Sequence, residues 1–248
     1  MPARILWVGH STVLVELDGV KLLTDPLLRR RVVHLRRVER VPAETLPEVD
    51  AVLISHLHFD HLDIPSLALL GRNLKLVVPR GAGGLVRRKR FTNVDELGAG
   101  EELHVGSLVV KGAPAVHDPR RLPVGARAEP LGFVIAGTRS VYFAGDTDVF
   151  DGMAALAPVD LALLPIWGWG PTIGPGHMSP PEAVEAARLL RASVVVPIHW
   201  GTYFPLQLAR HGRPAFLDRP AEEFRARMQA QAPEIEVRVL HPGQETTF

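Results

Sequence analysis

The chain has 248 residues, 46% of them hydrophobic, a formal net charge of +1 and no cysteine. That length and apolar content suffice for one large core, so a single domain spanning 1–248 is expected. Near-zero net charge speaks against a general polyanion binder, and the lack of cysteine excludes disulfides and thiolate metal sites. No apolar run is long enough to span a bilayer and no charged-then-apolar leader opens the chain, so a cytoplasmic protein without a membrane span is expected.

Residues 4–8 and 12–17 read as strands, Asp18-Gly19 is a hairpin signal, and 20–24 returns as the partner strand, so the chain opens as a β-meander. Residues 25–48 form a connection with three prolines and many basic residues, longer than a link requires and therefore a candidate lid or rim. The run VDAVLI at 49–54 is apolar and β-branched enough for a core strand. Beyond it, 64–70 reads as a helix, 74–78 as a strand and 81–89 as a short helix or loop. Strands at 101–105 and 108–111 turn about Gly106-Ser107, and strands at 131–136 and 140–144 turn about Gly137-Thr138. Two more, at 160–164 and 193–197, frame an amphipathic helix at 180–191. Ser179 suits its N-cap and Pro180 and Pro181 its first turn, with Glu182 and Glu185 near the start and Arg188 and Arg191 near the end. A helix at 221–231 and a strand at 235–240 close the chain.

Directly after the core strand stands Ser55-His56-Leu57-His58-Phe59-Asp60-His61-Leu62-Asp63. Three imidazoles and a carboxylate packed this closely are hard to explain except as metal ligands. In an extended chain His56, His58 and Asp60 would point one way and His61 the other, so that one face serves one ion and His61 a second. His117, Asp146 and His199 each follow an apolar strand in the same manner, where scaffolds present function. With the cluster they complete the inventory for two ions. His56, His58 and His117 would hold one, Asp60, His61 and His199 the other, and Asp146 would bridge. Three protein ligands and a bridge leave each ion an open position, as a catalytic site requires. The all-nitrogen-and-oxygen donor set suits two divalent ions, zinc first, with manganese, iron, cobalt and nickel also permitted. Asp63 is expected to orient a ligand imidazole from behind.

These residues resemble the metallo-β-lactamase superfamily, whose H-x-H-x-D-H signature is matched by His56 to His61 without a gap. Within it, the similarity is to the branch containing N-acylphosphatidylethanolamine-hydrolysing phospholipase D and the ascorbate 6-phosphate lactonase. It is carried by WVGHSTVLVELDGVKLLTDPLL, DAVLISHLHFDHLD, YFAGDTDVF, GHMSPPEAV and IHWGTYF. The resemblance implies an α/β fold, an αββα sandwich of two mixed β-sheets flanked by helices with the metals at one edge. It also implies a metal-dependent hydrolase with Asp60 in the catalytic set, using a metal-activated water on a small phosphodiester, phosphoester or lactone-type ester. It places His177 beside the substrate, off the metal, where the ring could bond a developing oxyanion or protonate a leaving group. It also brings in His10 of the Gly9-His10-Ser11-Thr12 turn, either at the site or as a structural hydrogen-bonding residue. The phospholipase's long N-terminal extension has no counterpart here, which puts membrane recruitment in doubt.

Substrate preference is less legible. Trp167 and Trp169, with Tyr203 and Phe204, are expected to wall the entrance with aromatic rings. The arginine-rich run from Arg29 to Arg40 would suit a small, anionic, phosphate-bearing substrate. A nuclease of the same superfamily is the alternative, opposed by the net charge and by the lack of an added nucleic-acid-processing domain, so no nucleic acid partner is expected. A non-catalytic binding protein with the same fold is the remaining reading, and the composition is compatible with a homo-oligomer.

Overall fold

A computed structural model of the chain describes residues 3–38, 46–167, 174–205 and 215–248. The first sheet contains β1 (Arg4–Gly9), β2 (Thr12–Leu17), β3 (Val20–Thr24), β6 (Ala51–Leu53), β7 (Lys75–Pro79), β8 (Val94–Leu97) and β17 (Glu245–Thr247), in the order β17-β1-β2-β3-β6-β7-β8. Its meander half is antiparallel, and β3, β6, β7 and β8 are parallel. The second sheet contains β9 (Glu102–Val105), β10 (Leu108–Pro114), β11 (Leu131–Ala136), β12 (Ser140–Phe143), β13 (Leu161–Pro165), β14 (Val194–Ile198) and β16 (Glu236–Val237), in the order β16-β14-β13-β12-β11-β10-β9. Here β12, β13, β14 and β16 are parallel and the rest antiparallel. A small sheet joins β4 (Arg31–Val32), β5 (Leu35–Arg37) and β15 (Tyr203–Pro205).

The two-residue period of the strands decides which side chains meet. Val13, Val15, Leu22, Ala51, Leu53 and Val77 point inward and pack against Leu131, Phe133, Val141, Phe143 and Leu161 of the second sheet. Their neighbours Leu14, Leu23, Val52, Ile54, Leu76 and Val78 point outward, where α1 (Ile64–Leu70) and α2 (Gly83–Arg87) cover them through Leu67 and Val86. The outer side of the second sheet is covered by α3 (Pro180–Leu189) and α4 (Arg219–Gln231), through Ala183, Ala187, Phe224 and Met228. This is the four-layer α/β sandwich expected, with mixed sheets face to face.

The capping box of α3 forms as its sequence implies, Ser179 and Glu182 bonding reciprocally. The 25–48 connection contains β4 and β5 instead of a plain excursion, while residues 39–45 lie outside those described. The closing strand shrinks from 235–240 to Glu236–Val237, because it pairs on one side only, with β14.

Candidate metal centre

Strand direction places the chemistry. β1, β3 and β6 run the same way in the first sheet, and β10, β12, β13 and β14 do so in the second. Their C-terminal ends deliver His10, Asp25, the Ser55 to Asp63 run, His117, Asp146, Trp167 and His199 to one edge of the sandwich. His10, Asp25 and His199 have φ of 56°, 34° and 61°, a left-handed backbone that costs a non-glycine residue about 1 kcal/mol or more. Neighbouring bonds hold two of these turns: His10 donates its amide to Thr202 Oγ1 at 2.8 Å, and His199 donates its amide to the His10 carbonyl at 3.0 Å.

Two nests of donor atoms result. In the first, His58 Nδ1 lies 3.0 Å from His56 Nε2 and 2.9 Å from His117 Nε2. The second gathers His10, Asp60, His61 and His199. Asp146 stands between them, its Oδ2 3.2 Å from His61 Nε2, 3.3 Å from His199 Nε2 and 4.0 Å from His56 Nε2. The structure therefore brings all seven expected ligand residues to one place, His56, His58 and His117 in one cluster, Asp60, His61 and His199 with His10 in another, and Asp146 between them. The stated reason for that grouping is corrected, because the cluster is not extended. His61 and Leu62 both donate their amides to the His58 carbonyl, so the chain turns and carries Asp60 to the His61 side.

His61 Nε2 and Asp146 Oδ1 are buried with no hydrogen-bond partner among the described residues. Such groups cost about 1–3 kcal/mol each unless something else satisfies them, and a cation among these nitrogens and oxygens would do so. The other ring nitrogens are committed elsewhere. Nδ1 of His61 donates to Asp25 Oδ2 at 2.7 Å, Nδ1 of His117 to the Gly176 carbonyl at 2.7 Å, and Nδ1 of His199 to the Trp167 carbonyl at 2.7 Å. Ser55 Oγ donates to Asp25 Oδ2 and accepts from His56 Nδ1 at 2.9 Å. Each of these bonds selects the tautomer that leaves Nε2 for a metal. Gly176 makes the His117 contact feasible: at φ +85° its backbone approaches so closely that a Cβ would lie 2.7 Å from His117 Nδ1.

Asp25 is the residue that sequence reasoning missed, since an aspartate before proline reads as an ordinary turn. The orienting role given to Asp63 is corrected in its favour. Asp63 caps α1 by accepting from Ser66 N at 3.0 Å, and it binds Arg29 through both oxygens at 2.8 and 2.6 Å. Arg121 was also missed. Its guanidinium lies 4.1 Å from the centroid of the Phe59 ring and donates to the Leu57 carbonyl at 2.5 Å and the Leu62 carbonyl at 3.1 Å, clasping both ends of the ligand turn. The aromatic wall is corrected as well. Tyr203 and Phe204 are buried, Tyr203 donating to the Arg29 carbonyl and Phe204 packing on Phe216. Trp167 packs partly on the core, and Trp169 lies outside the described residues.

Electrostatics favour the neutral, metal-ready form of His10, His56, His58 and His117, whereas His61 must give up a proton to bind a cation. Burial, helped by neighbouring imidazoles, pulls His10 down to about 3, His117 down to about 4, His56 far below the usual imidazole value and His58 below it. Burial also opposes protonation of His61, but Asp146 and Asp60 outweigh it and hold this pKa well above the ordinary value. His177 is raised too, its burial overcome by Asp146, whose Oδ2 is 3.4 Å from its Nε2. Burial opposes ionisation of Asp60 and Asp146, yet the surrounding histidines keep both carboxyls well below the normal range.

Fold and site define a metal-dependent hydrolase of the metallo-β-lactamase type. A model of the Beta-lactamase superfamily domain matches residues 21–200. A UPF0173 metal-dependent hydrolase from Methanopyrus kandleri is 31% identical across 97% of this chain and 98% of its own length. The N-acyl-phosphatidylethanolamine-hydrolyzing phospholipase D 1 of Caenorhabditis elegans is 33% identical over 79% of this chain and 63% of that protein. Among solved structures, a metallo hydrolase from Ignicoccus hospitalis superposes with a TM-score of 0.78 at 27% identity, covering 100% of this chain and 99% of that one. The chain belongs to the metallo-β-lactamase superfamily, in the branch that holds the phospholipase and the UPF0173 hydrolases.

Proposed function

We propose that the chain is a cytoplasmic hydrolase holding two divalent ions, zinc by its preference for nitrogen-rich donors, and acting on a small anionic phosphodiester, phosphoester or lactone-type ester. The reading rests on the convergence of His56, His58, His117, Asp60, His61, His199 and Asp146, with two buried donor atoms that no other described residue satisfies. Metal held by these residues would supply an activated water and polarise the electrophilic atom, so no serine or cysteine nucleophile would be needed.

The chain's own groups orient and exclude. Asp25 and Ser55 lock the His61 and His56 tautomers, and His10 Nε2 donates to Asp60 Oδ2 at 3.1 Å, fixing the carboxylate. His177 stands on the accessible side, beside a cleft of about 710 Å³ formed with Asp148, Val149, Gly174 and Pro175. From there its ring can bond a developing oxyanion or deliver a proton to the leaving group. Likeness to the nematode phospholipase supports a phosphodiester among the ester classes.

The test is elemental analysis of the purified protein together with a screen of phosphodiester, phosphomonoester and lactone substrates. About two equivalents of metal and turnover of one such class are expected. Metal-loaded protein inert towards all three classes, or protein that takes up none of the five candidate metals, would overturn the proposal.

A further inference from the structure

A second charged feature lies beside the metal centre and outside it. Arg29, Arg30, Arg31 and Arg36 line a cavity of about 390 Å³. Arg29 is neutralised by its bidentate pair with Asp63, two residues beyond His61, which ties this wall to the ligand turn. Arg30, Arg31 and Arg36 have no carboxylate within ion-pair distance among the described residues.

The hairpin that carries them aggravates the imbalance. Arg31 and Arg36 are direct cross-strand partners in the β4–β5 pair. Like charges set opposite each other destabilise a sheet unless something of opposite sign intervenes. The hairpin cannot turn that face away, because the adjacent pair, Val32 and Leu35, is buried against Leu27 and Tyr203. On the other side of β5, β15 pins Arg36 opposite Phe204. The protein thus holds, around one concavity on a fixed scaffold, three guanidinium groups with no carboxylate partner among the described residues. Guanidinium forks match the oxygens of phosphate in pairs, which a lysine ammonium does not.

We propose that this cavity is an oxyanion site that takes a phosphate-type dianion, distinct from the reacting ester group. The dianion is either a remote substituent of the substrate or a separate phosphate-bearing ligand. Binding stands apart from the proposed hydrolysis; only the kinetic comparison below rests on that reading.

The probe is inorganic phosphate, titrated calorimetrically into the wild type, into Arg31→Gln/Arg36→Gln and into His58→Ala, at constant ionic strength set with chloride. Affinity should fall about tenfold or more in the double variant and persist in His58→Ala, since a charged bidentate contact is lost only in the former. In chloride alone the double variant should melt above the wild type, because a like-charge pair has been removed. Should the double variant fail to fold, Arg30→Gln alone is titrated in its place. Affinity independent of these arginines overturns the site.

Kinetics then separates the sources. If the dianion is part of the substrate, the double variant raises KM at least about tenfold more for a phosphate-substituted ester than for its uncharged counterpart. If it is a separate ligand, added phosphate alters turnover of the uncharged ester in the wild type and not in the double variant. Arginine-dependent binding with neither kinetic response would overturn a role in catalysis. Absence of hydrolysis with binding intact would instead count against the proposed reaction.

Discussion

The carboxylate of Asp25 lies 2.7 Å from Nδ1 of His61, and the same group takes both the amide and the hydroxyl hydrogens of Ser55. One buried residue therefore sets the orientation of His61 directly and of His56 through Ser55. Asp25→Asn removes the charge and offers an amide whose donor and acceptor must choose between these partners. Zinc affinity measured by chelator competition should drop about 10–100-fold, the range for a lost outer partner of a metal ligand. Unchanged affinity would show that the His61 ring is held by packing alone.

Removing a donor should strip metal without collapsing the sandwich, because the core lies behind the strand ends. His58→Ala and Asp146→Ala are expected to lose both activity and at least one equivalent of metal, with far-UV circular dichroism preserved. A His58→Ala protein that keeps two ions and full turnover would remove His58 from the site.

His177 should behave differently. If it serves substrate and not metal, His177→Ala keeps its metal content while turnover falls by about 10²–10⁴-fold. Loss of an ion in this variant would make His177 a ligand through its contact with Asp146.

Arg121 tests how much the ligand turn depends on its clasp. Arg121→Met keeps bulk against Phe59 but leaves two carbonyl acceptors without their charged donor. A stability loss of about 1–3 kcal/mol by urea unfolding is expected, together with weaker zinc binding. The Arg121→Lys variant should recover part of both. Equal zinc affinity in all three proteins would mean that the turn keeps its shape unaided.

Acid should weaken the metal-free protein. His117 has a folded-state pKa of about 4 against an ordinary 6.5, with burial as the main cause. A depressed histidine pKa means that the unfolded chain binds more protons between those values, so the contribution is fully present above 6.5 and is lost as pH falls from there towards 4. The slope is about 1.4 kcal/mol per pH unit within the window. Urea midpoints of the metal-free protein should therefore decline more steeply with acidification in the wild type than in His117→Gln. Parallel pH profiles would contradict the assignment.

Elements were legible where local pattern and tertiary role agreed. β2, β3, β11 and α1 occupy the residues read from alternation and turn chemistry. β8 was missed because VDEL puts two acids inside a four-residue strand, and β17 because its ETT run is polar and lies at a sheet edge. The β4–β5 hairpin hid inside an arginine-rich stretch whose composition suggests a solvated loop. The seven donors were legible because imidazoles and carboxylates after apolar strands are conspicuous. Asp25, Ser55 and Arg121 were not, since their roles come from a convergence of strand ends that no local window contains.

That convergence also bears on how the protein acquires its metal. Donors come from both sheets, and Trp7 of β1 stacks at 5.2 Å on Trp200, just past β14. Neither sheet alone carries a complete set, so the two must come together before the donors can hold a metal, unlike a zinc finger. Distant segments must meet first, which makes assembly slow. Cobalt absorption in a refolding experiment should accordingly lag behind the fluorescence change of the Trp7–Trp200 pair, and uptake of the ion becomes a clock for the closing of the two sheets.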